Sequence, residues 1–422
     1  MTQQKEPIKI SPELLSACIH CGLCLSSCPT YLASGREMES PRGRIYLMNM
    51  LENGEAEAEP RLVEHLDSCL GCLGCQTACP SGVQYGKLLD QARPLIAAQR
   101  PAHVRRLMRF AFQHILPDYR RLHFLSKVLR LWQKTGLDRL PEKLPWLAAG
   151  LGKLAEWQEF LPPVPVFKPL PKQSWIPGDK QGEVQVFSGC VMDVFYNDVN
   201  HACVRLLAAQ RRMVNVPEQT CCGALAFHAG ETDIARDLAR ENIEYFEKTA
   251  GDIVVTAAGC GAMLKEYGEL LHDDPQWHAR AHQFAARVRD VTEALAEKPI
   301  VGEPHAIDKK VAYHAACHLS HAQGVRQPPL DLLKQIPGVK PVPLEEAEHC
   351  CGSAGIYNLM HTDMSMEILE RKMDNIERTG ADIIVTTNPG CLLQLQKGLR
   401  DRKCDMKACH LIELLDEAYR LD

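Results

Sequence analysis

The sequence predicts an α+β multidomain protein: a helical N-terminal domain built around two groups of cysteines, a helical segment, and a duplicated α/β domain with pseudo-twofold symmetry. Three observations carry this expectation. Residues 18–29, CIHCGLCLSSCP, and residues 69–80, CLGCLGCQTACP, share the pattern C-x2-C-x2-C-x3-C-P. Residues 160–182 are dense in proline and read as an extended linker between two different kinds of sequence. Beyond it, strand-like and helix-like runs alternate, and the whole pattern occurs twice, which argues for α/β units around a mainly parallel sheet. At 422 residues the chain also exceeds the ~250–300 residues at which a single core stops growing.

The first domain is expected over residues 1–93. Four thiols packed into eleven positions, twice over, point to metal. Zinc ribbons instead pair two C-x2-C knuckles about 15–20 residues apart, so iron-sulfur chemistry is the better match. The run resembles that of the bacterial two-cluster [4Fe-4S] ferredoxins, in which the fourth cysteine ligates the other cluster. The resemblance implies crossed ligand sets: Cys18, Cys21, Cys24 and Cys79 for one cluster, and Cys69, Cys72, Cys75 and Cys28 for the other. Between the two runs, Ile45, Leu47, Met48 and Leu51, and then Leu62, Val63 and Leu66, fall at helical spacing. This long helical insertion resembles the helical ferredoxin domain of the iron-sulfur subunit of succinate dehydrogenase. Arg42 and Arg44 read equally as charges that neutralise a cluster or as solvated helix cations.

Residues 94–160 form a leucine-rich, basic helical segment. From Arg100 to Lys134 there are nine Arg or Lys residues and one acid, Asp118. Such a segment either lies on anionic lipid, through cations such as Arg105, Arg106, Arg120 and Arg121, or packs on the first domain as a hairpin with a solvated cationic face. GLGKLA at Gly150 matches G-x-G-x-x-A, but no strand precedes it and no βαβ unit follows, so it is discounted as a dinucleotide site. The linker then spans residues 161–182. A net charge of -5 offers nothing to nucleic acid. Nineteen cysteines, an odd number, behind an N-terminus without an apolar signal core, point away from disulfides and towards a reducing cytoplasm. No run reaches the ~18 apolar residues of a membrane span, so the expected membrane contact is peripheral, at the cytoplasmic face of the inner membrane.

The two copies are expected at residues 183–300 and 301–422. The first runs EVQVFSGC, a helix, a strand near RRMVNV, TCCGA, a second helix and DIVVTAAGC. The second runs KVAYHAACH, a helix, EHCCGSAG, a second helix and DIIVTTNPGC. In both, the cysteines fall where strands end: Cys190, Cys221, Cys222 and Cys260, then Cys317, Cys350, Cys351 and Cys391. Ligands of open α/β sheets bind at such carboxyl ends, which predicts one cofactor site per copy. Four converging thiols satisfy a cubane, so at least one further cluster is expected, although buried cysteines also serve as ordinary core residues.

The overall plan resembles the CCG-domain iron-sulfur subunits and, within that group, the iron-sulfur subunits of glycolate oxidase, in SPRGRIYLM, CHLSHAQGVRQPP and EHCCGSAGIYN. Relatives of the same plan serve anaerobic glycerol-3-phosphate dehydrogenase, lactate utilisation and heterodisulfide reductase. Two departures stand out. The family's C-x-x-C ending is replaced by CGAM, with Met263, and by CLLQ, so each copy keeps four cysteines. An acidic or polar residue is usual before the second copy's first cysteine, where this chain has HAACH.

The resemblance implies an electron-transfer subunit with no catalytic residues of its own. It would relay electrons from a flavin-dependent 2-hydroxy-acid dehydrogenase, oxidising glycolate to glyoxylate, towards quinone or another acceptor. Oxidising a hydroxy acid releases an electron pair, and clusters carry single electrons. FAD is therefore expected only on partner subunits of a hetero-oligomer, since no flavin or nicotinamide fingerprint is found here. The alternatives are a lactate or glycerol-3-phosphate dehydrogenase subunit, or a heterodisulfide-reductase-like thiol/disulfide enzyme. His20, His314, His318, His321 and His349 sit beside cysteines, where they either tune clusters through hydrogen bonds or are simply satisfied polar residues.

Overall fold

The protein was examined as a computed structural model, which describes residues 10–137, 157–158 and 160–421. The expected helix over residues 138–156, the Gly150 fingerprint and the first nine residues lie outside the described residues.

The N-terminal domain is helical, and its helices start where sequence chemistry puts them. Helix α1, Pro41–Glu52, opens with proline behind Ser40, whose hydroxyl accepts from Gly43 N at 3.0 Å. Gly43 is required there, because a Cβ would lie 2.0 Å from the Glu37 carbonyl. Helix α2, Pro60–Asp67, and helix α3, Tyr85–Gln99, complete the framework. Ile45, Leu47, Met48, Val63 and Leu66 form its core, as the helical spacing predicts, together with Leu88 of α3. The expected domain boundary at residue 93 falls inside α3, which runs on to Gln99.

Helices α4, Ala102–Phe110, and α5, Tyr119–Lys134, follow. Arg105 and Arg109 do not face solvent as free cations. Both pair with the buried carboxylate of Glu231, and Arg109 also pairs with Asp233, which pins α4 to the first copy. The outer face of α5 is different. Phe124 is 66% exposed, Leu131 64% and Val128 51%, and Arg120, Lys127 and Lys134 flank them.

The proline-rich stretch is extended but docked. Val164 N donates to Gln133 Oε1, and strand β1, Gln173–Ser174, pairs antiparallel with Val214 and Asn215, so residues expected as linker supply an edge strand. The alternating runs form two sheets, one per copy. The first has the order β1-β3-β2-β4-β5, with β2 Glu183–Phe187, β3 Met213–Asn215, β4 Asp252–Val255 and β5 Val288–Asp290. The second has the order β7-β6-β8-β9, with β6 Lys309–Tyr313, β7 Val339–Val342, β8 Ile383–Thr386 and β9 Lys407–His410. Without β1 the two orders are the same and every pair is parallel.

The copies share one core, in which Val184, Val186 and Val254 of the first meet Val311, Ile383 and Val385 of the second. Loops at the strand ends bond across it: Ala258 N donates to the Thr387 carbonyl and Gly259 N to Asn388 Oδ1 at 3.0 Å. This joining brings the carboxyl ends of both sheets to one place. The N-terminal domain sits over that place, held by Tyr357 Oη on the Ser68 carbonyl at 2.9 Å and by His361 Nε2 with Asp67 Oδ2 at 3.0 Å.

Candidate functional site

Each N-terminal cysteine run curls around its second cysteine, because residues on both sides of it are left-handed. His20 (φ 53°) and Gly22 (φ 84°) flank Cys21; Gly71 (φ 63°) and Leu73 (φ 62°) flank Cys72. That conformation costs an L-residue about 1–2 kcal/mol, so Leu73 and His20 are held by their surroundings. The curl turns donors towards sulfur: Gly71 N donates to Cys69 Sγ at 3.5 Å, and Tyr85 Oη does so at 3.5 Å. Thr30 Oγ1 lies 3.3 Å from Cys28 Sγ.

Thiols of the two runs lie close enough to act on one another. Burial, then Cys72, Cys69, Cys28 and Cys24, push the Cys75 thiol well above its usual range. Burial, then Cys317, with Cys28 and Cys69 behind it, does the same to Cys72. Cys28 of the first run therefore lies near Cys72 and Cys75 of the second, and near Cys24 of its own run as well. Cys79 of the second run packs against the N-terminal core, as Cys18, Cys24 and Cys69 do. Mutually repelling buried thiols of this kind suit a cationic metal centre, which stabilises the thiolates that burial alone disfavours.

Arg44 stands between the runs. It is 1% exposed, and its guanidinium donates to Thr30 Oγ1, Glu39 Oε2, Ser68 Oγ and the His65 carbonyl at 2.7–3.1 Å. Burial pulls its pKa down, but the negative groups of Cys69, Tyr85, Cys28 and Glu39 outweigh that and raise it. The solvated-cation reading fails for Arg44. Arg42 is partly exposed and pairs with Glu37 at 2.6 Å.

In each copy the four cysteines form a continuous chain of sulfur contacts. Cys190 Sγ and Cys221 Sγ are 3.6 Å apart, and contact continues to Cys222 and Cys260. The second chain runs Cys317, Cys350, Cys351, Cys391. The glycine after each cysteine pair is obligatory: Gly352 has φ 93°, and a Cβ there would lie 2.6 Å from the Ser365 carbonyl. All eight sulfur residues line one cavity of about 540 Å³, and Cys69 reaches it too. The two expected sites thus open into a common space under the N-terminal domain.

The five cysteine-adjacent histidines diverge. His318 Nδ1 lies 3.4 Å from Cys317 Sγ, and burial, then Arg93, lowers its pKa to about 4. His321 bridges domains, with Thr77 Oγ1 at 3.1 Å and the Glu348 carbonyl at 3.2 Å. His349 faces Glu346 at 3.5 Å, and His20 serves the loop turn. The His314 ring is buried without a hydrogen bond at either nitrogen. Sequence reasoning missed Tyr85, Thr30 and Lys372. Lys372 is buried, with Cys351, Cys350 and Cys391 among the charges that act on it. Its helical position carries no signal for this, because the cysteines it faces are brought to it by the sheet.

Comparison with known proteins agrees with this arrangement. Residues 14–83 match the 4Fe-4S dicluster domain, and residues 184–265 and 311–396 the cysteine-rich CCG domain. Residues 103–161 match the linker region of the glycolate oxidase iron-sulfur subunit. The probable glycolate oxidase iron-sulfur subunit of Bacillus subtilis is 39% identical over 99% of both chains. The chain belongs to the glycolate oxidase iron-sulfur subunit family. The glycolate oxidase iron-sulfur subunit of Escherichia coli is 34% identical over 96% of this chain and 94% of its own. Lactate utilization protein A of Halalkalibacterium halodurans is 34% identical over 56% of this chain and 98% of its own. A hypothetical protein from Helicobacter pylori of known crystal structure has a similar fold, with a TM-score of 0.55 and 10% identity over 92% of this chain and 69% of its own. As a family member, the chain is an iron-sulfur protein with a [4Fe-4S] dicluster domain at its N-terminus.

Proposed function

We propose that this chain is the electron-transfer subunit of a flavin-dependent 2-hydroxy-acid dehydrogenase, with glycolate as the first candidate substrate. The observation that carries the proposal is the continuity of cysteine groups. The Cys28, Cys69, Cys72 and Cys75 group adjoins Cys317 and Cys350, and from there both CCG groups share one cavity. Bound iron-sulfur clusters supply one-electron transfer. Cys18, Cys21, Cys24 and Cys79 would hold one N-terminal cluster, and Cys28, Cys69, Cys72 and Cys75 the second. At least one of the two CCG groups would hold a third. The protein's part is to space these sites, to exclude water with Leu70, Tyr357 and Ile368 at the junction, and to offset thiolate charge with Arg44 and Lys372.

The isolated chain is expected to oxidise neither glycolate nor lactate. Mixing it with the FAD-bearing partner subunits should bring dye or quinone reduction, and the substrate that does so decides between the two acids. Turnover of either acid by flavin-free chain alone would refute the proposal.

The exposed face of α5 is proposed to attach the complex to the cytoplasmic face of the inner membrane. Among the described residues no helix is long and apolar enough to cross a membrane. Phe124, Val128 and Leu131 recur at helical spacing on one side, with Arg120, Lys127 and Lys134 beside them. Each cation near anionic lipid contributes about 1 kcal/mol and is screened by salt. Reversing Arg106, Arg120, Arg121 and Lys127 to Glu should therefore abolish co-sedimentation with anionic vesicles. Arg105 is unsuitable for this test because it holds Glu231. Sedimentation indifferent to both the variant and high salt would refute this attachment.

A further inference from the structure

We infer that His314 is a nitrogen ligand of the metal centre in the second CCG copy, which makes that centre chemically different from its counterpart in the first. The inference rests on the reading that this copy carries a cluster. His314 directly follows β6, is 0% exposed, and finds no hydrogen-bond partner for either Nδ1 or Nε2. Leaving a buried polar group unpaired costs about 1–3 kcal/mol, so an imidazole with both nitrogens unpaired calls for a partner of another kind. A ring nitrogen of His314, Cys351 Sγ and Cys391 Sγ all lie within 4.8 Å of one another. The three donors therefore converge on one place, as the ligands of a metal centre must. The Ala347 carbonyl is close enough to act on the ring. Once one nitrogen binds metal, the opposite N–H has this acceptor to orient it, the usual arrangement around a ligating histidine.

The alternatives for a fifth ligand are occupied or apolar. Gln394 stands where the family's C-x-x-C ending has its second cysteine, but its Nε2 donates to Ser365 Oγ at 2.9 Å and its Oε1 accepts from Asn358 at 3.2 Å. In the first copy the place of His314, three residues before the first cysteine, holds Phe187, and the place of Gln394 holds Met263. Both are buried in an apolar cluster with Cys190, Cys221 and Cys222. The second copy also has a buried cation facing its thiols, Lys372. Counted from the helix residue that covers the CCG glycine, Ala235 over Gly223 and Ser365 over Gly352, the matching position in the first copy is the neutral Asn242. Nitrogen in place of thiolate raises a cluster's potential, as does a nearby positive charge. With nitrogen where the family's C-x-x-C ending supplies a fifth thiolate, the second centre is therefore built to accept electrons more readily than a five-thiolate site.

The test uses the full chain, anaerobically reconstituted with iron and sulfide and grown with either natural or nitrogen-15 histidine. Pulsed EPR in the paramagnetic state of the centre should show a directly bound histidine nitrogen. That coupling should vanish in His314→Phe, which installs the residue the first copy carries. It should vanish also in His314→Cys, which keeps the cluster and moves its midpoint potential down. If a signal that Cys391→Ser removes shows no histidine nitrogen in the wild-type chain, the ligand assignment is wrong and the cluster reading survives. If Cys391→Ser removes no signal and no iron, both fall. The wild-type spectrum decides the first point even if His314→Phe folds poorly.

Discussion

Chain carrying Cys69→Ser, purified anaerobically, is expected to lose about four iron and four sulfide relative to wild type, and with them electron transfer from the flavoprotein to acceptor. A cubane with one ligand missing is labile, and because ligation is coupled to folding, the loss should also lower the N-terminal domain's unfolding midpoint. The informative comparison is Cys28→Ser. Cys28 belongs to the first run in sequence but lies near Cys72 and Cys75 in space. Its substitution should therefore remove the same EPR signal as Cys69→Ser and leave the one that Cys18→Ser removes. If Cys28→Ser removes the Cys18 signal instead, each run holds its own cluster and the crossed assignment is wrong. Stoichiometric zinc in place of iron in the wild-type chain would overturn the site altogether.

A similarly large effect is expected at Arg44. Arg44→Met leaves the Glu39 carboxylate buried beside Ser68 and His65 without its cation. Breaking a buried pair by removing one partner costs about 3–5 kcal/mol, a large share of a domain's stability. The double variant Arg44→Met/Glu39→Gln should recover part of that loss, because no charge is then stranded. Arg44→Lys should not rescue, since one ammonium cannot reproduce a fork that serves Thr30, Glu39, Ser68 and the His65 carbonyl. Burial would raise the Glu39 pKa, but the bonds from Ser68 and His65 and the charge of Arg44 win and lower it. Its contribution to stability is therefore present above the ordinary carboxylate range and lost as pH falls through the lowered value. Chemical denaturation across acidic pH should show a shallower slope in Glu39→Gln than in the wild type, because Asp67, Glu231 and Glu346 keep their own lowered values. Equal stability of Arg44→Met and wild type would show that Arg44 only fills space.

What the sequence determined by itself is the local chemistry. The C-x2-C-x2-C-x3-C-P runs and the Cys-Cys-Gly turns are legible because their ligands lie within a few residues, so spacing alone constrains them. The helices over Ile45–Leu51 and Leu62–Leu66 were legible for the same reason, as periodicity is a property of one short segment. Strands β5 and β9 left no comparable trace. Three or four residues are too few to show alternation, and their place is set by pairing with β4 and β8. The duplication was legible as two copies of one pattern, but that each copy closes its own sheet and that the two share one core is tertiary. Tertiary structure alone decided which cations are free, since Arg105 and Arg109 meet Glu231 more than a hundred residues away. It also decided that Cys72 adjoins Cys317 and that His314 faces Cys351 and Cys391. Charge, burial and ligation act through distance in space, and a linear chain records that distance only where the partners are neighbours in sequence.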